Sequence, residues 1–134
     1  MRVIGGKFKG KKLIEPRDKE TRPLKDLTKE SIFNIINHSN KFSIDLKKAQ
    51  VLDLFSGVGS FGIECLSQGA SYVTFIEKYE AVLPILKENL DNLKSEINYE
   101  IIESDILNRL EFKSLKLTYD LIFLDPPYKE KALE

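Results

Sequence analysis

Two short stretches of this 134-residue chain carry residue types that could do chemistry together. The first, Gly57-Val58-Gly59-Ser60-Phe61-Gly62, fits G-x-G-x-x-G. It follows a predicted strand and opens a predicted helix, the context the motif requires. Glycines let the backbone turn tightly and leave no Cβ in a ligand's way. The helix N-terminus offers free N–H groups to a carboxylate or phosphate. The second stretch, Asp125-Pro126-Pro127-Tyr128, follows the apolar run Leu121-Ile122-Phe123-Leu124. Two successive prolines make a stiff loop whose carbonyls are free to accept. The Asp125 carboxylate and the Pro126 carbonyl can then accept both protons of one planar NH2 group. Holding both protons pushes the nitrogen lone pair toward attack, and Tyr128 can stack on a flat base. That chemistry suits methyl transfer to an exocyclic amino nitrogen, with much of the acceleration coming from placement.

Two other acids narrow the ligand. Glu77 ends the strand after the glycine loop, 20 residues beyond Gly57, where a carboxylate can accept both ribose hydroxyl protons. Dinucleotides and S-adenosylmethionine share this layout. Asp53, four residues before Gly57, favours S-adenosylmethionine. An anion there repels a pyrophosphate and suits a ligand bearing an ammonium and a sulfonium.

These residues need a scaffold, and the sequence predicts one. Gln50–Leu54, Tyr72–Ile76, Tyr99–Ile102 and Leu121–Leu124 read as strands, the last apolar enough to be buried on both faces. Ser60–Gln68 and residues 79–94 read as helices. Pro84 suits only a first helical turn, so the second helix must begin late or bend. Residues 106–117 read as a short helix or irregular crossover. Strands alternating with helices imply a parallel, doubly wound α/β sheet, whose ligands bind beyond the carboxyl ends of the strands. Asp53, Glu77, Asp105 and Asp125 all stand near such ends, and converging carboxylates suggest a small-molecule site. Before this core (49–134), residues 1–48 form a second unit packed on it. It has a basic hairpin over 1–14, a polar loop with Pro16 and Pro23, and a helix to about Asn37 that Asp26 or Thr28 can cap.

Composition excludes several classes. The chain is 42% hydrophobic and 31% charged, too apolar for a disordered tail. No apolar run is long enough to cross a bilayer, and the N-terminus lacks a signal peptide's apolar core. One cysteine, Cys65, allows no internal disulfide, which points to the cytoplasm. It is expected to pack in the core. The single histidine, His38, lies in polar sequence with no Cys/His cluster, so no metal site is expected. Net charge is zero, yet residues 1–25 hold nine Lys or Arg against three acids. A neutral chain with a basic head points to a polyanionic partner.

Together these residues resemble the bacterial 16S ribosomal RNA guanine-966 N2-methyltransferase family, class I S-adenosylmethionine-dependent enzymes. Three stretches carry the resemblance. They are Arg2-Val3-Ile4-Gly5-Gly6 with Lys9-Gly10-Lys11-Lys12-Leu13, then Thr21-Arg22-Pro23 with Asp26 and Lys29-Glu30-Ser31-Ile32-Phe33-Asn34, then Asp53 to Glu64 with Glu77 and the D-P-P-Y loop. The last loop is shared with many amino methyltransferases of DNA and RNA, whereas the N-terminal stretches are more specific. The resemblance implies a Rossmann-like fold and methylation of a guanine N2 in 16S ribosomal RNA, alone or in the small subunit. It implies cofactor contacts from Asp53, Phe55, Gly57, Gly59, Gly62 and Glu77, with Asp105 and Ile106 against adenine. Asp125, Pro126, Pro127 and Tyr128 would hold the target base. Arg22 would help close the site, and Arg2, Lys7, Lys9, Lys11 and Lys12 would touch RNA phosphates.

The family continues past D-P-P-Y with a further helix and strands, whereas this chain stops at Glu134. The expectation is a truncated sheet whose last strand has an exposed, adhesive edge, unless a second chain covers it. The rival readings are N6-adenine methylation of RNA or DNA, a dinucleotide oxidoreductase, and an inactive fragment that binds ribosomal RNA.

Overall fold

The computed structural model describes residues 1–17, 24–41, 44–104 and 118–126. Among the described residues seven elements follow one another: α1 (Asp26–His38), β1 (Gln50–Asp53), α2 (Ser60–Ser67), β2 (Tyr72–Ile76), α3 (Leu83–Asp91), β3 (Tyr99–Ile102) and β4 (Leu121–Phe123). The four strands form one parallel sheet in the order β3-β2-β1-β4. The chain winds outward from β1 through β2 to β3, then returns to the other side of β1. The topological switch therefore falls at β1, and ligands of open α/β sheets bind beyond the carboxyl end of such a strand.

Strand alternation sorts the side chains between two faces. Val51, Val73 and Phe75 join Phe61, Ile63, Leu86 and Leu90 of the helices in the main core. Val3 and Leu13 of the N-terminal segment and Phe33 of α1 belong to this same core. Leu52, Leu54 and Ile76 form a smaller cluster on the opposite face. Phe61 joins three elements. Its ring centroid is 3.8 Å from that of Phe123 on β4 and 5.1 Å from that of Phe33 on α1. Cys65 is buried in the main core as an unpaired thiol, as its place on the helix after the glycine loop predicts.

Two expectations need correction. Neither Asp26 nor Thr28 caps α1, because the helix already begins at Asp26 and Lys25 stands at the cap without a side-chain bond. The Asp26 carboxylate instead accepts the Arg2 backbone N–H at 3.1 Å. The strand at Leu121 is not buried on both faces, since Ile122 and Leu124 remain 56% and 46% exposed. Among the described residues β4 pairs only with β1, and Ile122 and Leu124 stand on the face opposite Phe123, which packs on the core. The N-terminal hairpin forms as expected, with Arg2 and Lys12 in an antiparallel bridge and the N–H groups of Val3 and Leu13 donating to the carbonyls of Lys11 and Met1. As Pro84 requires, α3 starts at Leu83 with the proline in its first turn, where its missing N–H costs nothing. The predicted crossover at 106–117 lies outside the described residues. No described helix is long and apolar enough to cross a membrane.

Candidate functional site

Strand register brings the predicted acids to one rim. Asp53 pairs with Phe75 of β2 and Phe123 of β4, so Glu77 and Asp125 both lie just past the same sheet edge. Asp105, Ile106, Pro127, Tyr128 and Arg22 lie outside the described residues.

Asp53 is fully buried, and neither carboxylate oxygen has a hydrogen-bond partner among the described residues. Its pKa is raised to about 8, chiefly by burial. The Gly62 backbone N–H pulls the other way, while the charges of Glu77 and Asp125 push further up. A buried acid with two idle acceptors is costly unless a proton or cation meets it. Beside a glycine loop it fits the ammonium end of S-adenosylmethionine and opposes a pyrophosphate. Asp125 stands exposed on the rim, and partial desolvation raises its pKa too. Pro126 is half-buried beside it, and Phe55 is half-buried after β1.

Glu77 does something the sequence did not announce. Its Oε1 accepts the Gly57 N–H at 2.8 Å, and its Oε2 accepts the N–H groups of Lys78 and Tyr79 at 3.0 Å each. The carboxylate thus latches the glycine loop to the end of β2. Oε2 has both lone pairs engaged, whereas Oε1 keeps one, so a single ribose hydroxyl, rather than both, can still be accepted by a group already fixed in orientation. The loop is held elsewhere as well. Ser56 N–H donates to the Ile76 carbonyl at 3.1 Å, and Gly59 N–H to the Ser56 carbonyl at 2.9 Å. Gly59 sits at φ 95°, and a Cβ there would come within 2.6 Å of Leu86 Cδ1. Conformation and space therefore both demand glycine at this position. Gly62 is glycine for another reason. A Cβ would meet Phe75 Cε1 at 2.2 Å, so the bare position lets α2 lie against β2.

The N-terminal segment lies lengthwise on α2. At the glycine-loop end, the buried Lys29 ammonium donates to the Arg2 carbonyl at 2.6 Å and Ser60 Oγ at 3.1 Å. It also pairs with Glu64 Oε1 at 3.2 Å. Glu64 accepts the Ile4 and Gly5 N–H groups at 2.8 and 3.0 Å. At the far end of α2, Lys7 N–H donates to the Ser67 carbonyl, and Phe8 N–H to Ser67 Oγ. An eight-residue helix separates these ends by about 12 Å. The proposed RNA-contacting residues thus divide. Arg2 and Lys12 pair at the site end, while Lys7, Lys9 and the turn lie toward the other. All are exposed with Lys11, and Lys7 Nζ donates to Ser95 Oγ at 2.6 Å.

Sequence reading missed Lys29, Glu64 and Asn89 as site-building residues. All three are fully buried polar groups on otherwise apolar helix faces. A signal existed: Lys29 stands in phase with Phe33 and Ile36, and Asn89 lies inside the apolar repeat of α3. Among the described residues no group of three or more His, Cys, Asp and Glu side chains could hold a metal ion.

With the geometry in view, comparison with known proteins is informative. The family model described as conserved hypothetical protein 95 matches residues 1–134. Ribosomal RNA small subunit methyltransferase D of Escherichia coli (strain K12) is 34% identical over 100% of this chain and 63% of its own length. YlbH of Bacillus subtilis (strain 168) is 36% identical over 100% of this chain and 70% of its own. The solved structure of yhhF from Escherichia coli superimposes with a TM-score of 0.76 at 32% identity, over 96% of this chain and 65% of that one. The chain therefore spans about two thirds of the length of these relatives, from 63% to 70%. It has the α/β Rossmann-like fold of class I methyltransferases and belongs to the family described as conserved hypothetical protein 95.

Proposed function

We propose that this chain is the cofactor-binding part of an S-adenosylmethionine-dependent methyltransferase that modifies the N2 amino group of a guanine in 16S ribosomal RNA. One observation carries the cofactor reading: the buried, unpartnered Asp53 carboxylate beside a glycine loop at the switch point of the sheet. The relatives named small subunit methyltransferase D support the substrate class.

S-adenosylmethionine, when bound, supplies an electrophilic methyl group. The chain's own residues do the rest. Asp53 meets the ammonium of the methionine end. Glu77, oriented by three backbone N–H groups, receives a ribose hydroxyl at Oε1. Gly57 and Gly59 leave room for close approach, with Phe55, Gly62, Asp105 and Ile106 completing the pocket. Asp125 and the Pro126 carbonyl accept the two amino protons of the base and aim its lone pair, Pro127 stiffens that loop, and Tyr128 stacks on the ring. Once the nitrogen has gained its methyl group it must lose a proton, and Asp125 is the group placed to take it. Arg22 closes the site, and Arg2, Lys7, Lys9, Lys11 and Lys12 neutralise phosphates. Residues 1–48 form the RNA-facing unit and 49–134 the cofactor core, in a cytoplasmic protein.

The test is transfer of labelled methyl to unmethylated small ribosomal subunits, with the product nucleoside identified by mass spectrometry. N2-methylguanosine is expected. N6-methyladenosine would move the protein to the adenine-modifying class. No product, either from this chain or from one extended past Glu134 to the relatives' length, would overturn the catalytic reading.

Asp53 makes cofactor binding depend on pH. In the free chain its pKa of about 8 leaves it protonated at neutral pH. A bound ammonium favours the carboxylate, so binding at pH 7 should release about one proton per site. Affinity should rise by up to about tenfold per unit as pH climbs toward 8. The free chain shows the opposite trend. Between the ordinary aspartate pKa of 3.8 and about 8, the folded state holds a proton that the unfolded state lacks. Stability must therefore fall as pH rises through that window and level off above it. Calorimetry in buffers of different ionisation enthalpy counts the protons, and Asp53→Asn should abolish their release. Binding without proton release would remove Asp53 from the ammonium site.

A further inference from the structure

We propose that Asn89 is a positioning residue that couples cofactor binding at the glycine loop to the backbone of Ile14 in the N-terminal segment. This rests on the cofactor reading above. Asn89 is buried on α3, and its side chain is bonded on two sides. Its Oδ1 accepts the Ile14 N–H at 2.8 Å, and its Nδ2 donates to the Ile14 carbonyl at 3.2 Å. The same Nδ2 donates to the Val58 carbonyl at 2.9 Å. The amide thus serves Ile14 as a neighbouring strand would, while gripping the residue between Gly57 and Gly59.

Leu86, one turn earlier on α3, fills the space against Gly59. From the other side Glu77 holds the Gly57 N–H. The glycine loop is therefore clamped between the end of β2 and one face of α3. Ile14 has both backbone polar groups committed to that face. It begins the stretch that runs on to Thr21-Arg22-Pro23. A leucine would suit the apolar stripe better than a buried amide does. Only an amide satisfies a donor, an acceptor and a third backbone group at once. A ligand that tightens the Gly57–Gly59 loop must tighten the bond to Val58, and through the same side chain the pair to Ile14. By reciprocity, a substrate that holds the Ile14 backbone in this place must favour the cofactor.

Amide hydrogen exchange of the unsubstituted chain, titrated with S-adenosylmethionine and read by NMR, tests this. Exchange at Ile14 should slow by about tenfold at saturation, together with Gly57 and Gly59. In Asn89→Ala the two glycines should still respond, Ile14 should not, and the cofactor Kd should rise about tenfold. A slowed loop with an unchanged Ile14 in the unsubstituted chain overturns the proposal, even if Asn89→Ala fails to fold. An Ile14 that responds equally in Asn89→Ala overturns it too. No cofactor binding by the unsubstituted chain overturns the cofactor reading, and this inference with it.

Discussion

Lys29→Ala will cost the fold about 3–5 kcal/mol, a large share of the roughly 5–15 kcal/mol that holds a domain together. The reason is the completeness of the network it leaves. Lys29 and Glu64 are both 0% exposed. The ammonium has three protons and three acceptors: the Arg2 carbonyl, Ser60 Oγ and Glu64 Oε1. Glu64 in turn accepts from Ile4, Gly5 and the Gln68 amide. Removing the cation leaves a buried carboxylate and a buried carbonyl without their shared donor. Urea denaturation measures the loss. Lys29→Met with Glu64→Gln should cost much less than the two single changes summed, because neither then strands a charge. A loss below about 1 kcal/mol for Lys29→Ala would mean that water reaches the site and that the pair is not sealed. The network also ties the N-terminal segment to Ser60, the first residue after the glycine loop. The variant should therefore weaken cofactor binding even where it still folds.

Asp125→Ala should lower methyl transfer by about 10²–10⁴-fold while leaving the cofactor Kd nearly unchanged. Asp125 is exposed on the rim, open to an incoming base, whereas Asp53 is buried. Its proposed work is to accept an amino proton, which a protonated carboxyl cannot do. Its pKa is raised by partial desolvation. The acid limb of the rate profile should therefore fall at a pH above the ordinary carboxylate value, with activity present above that pKa and lost below it. Asp125→Asn keeps one acceptor but turns an NH2 toward the substrate's own, so it should be nearly as poor. Single-turnover transfer with calorimetric cofactor binding separates the two effects. Retained transfer in Asp125→Ala would remove this loop from the chemistry. A lost cofactor site would instead make the residue structural.

Much of this architecture was legible because it rests on local rules. Pro84 marked where α3 must begin, since a ring without an N–H fits only the first turn. The period-two and helical patterns placed β1, β2, β3 and α2 within a residue of their observed ends. The exposure of Ile122 and Leu124 on β4 is not legible in the same way, because an apolar run reports that a strand is hydrophobic, not what packs on each of its faces. The buried polar links were illegible for a related reason. Lys29 and Glu64 are 35 residues apart, and Asn89 and Ile14 are 75 apart. No local pattern shows that one charge or amide will meet its complement.

The sequence by itself determined the chemistry available: a glycine loop, acids at strand ends, a stiff Asp-Pro-Pro loop and a basic N-terminal segment. Spacing along the chain and backbone stereochemistry suffice for that. Alternation of strands and helices already put Asp53, Glu77 and Asp125 on one rim; only the tertiary structure decided that β4 crosses back beside β1, which sets Asp125 on the strand next to Asp53. It alone decided that Asp53 is buried and unpartnered, that Glu77 already grips the loop, and that Lys29 and Asn89 fasten the N-terminal segment to it. Desolvation and hydrogen bonding between distant segments depend on which surfaces meet, and that is settled only when the chain folds.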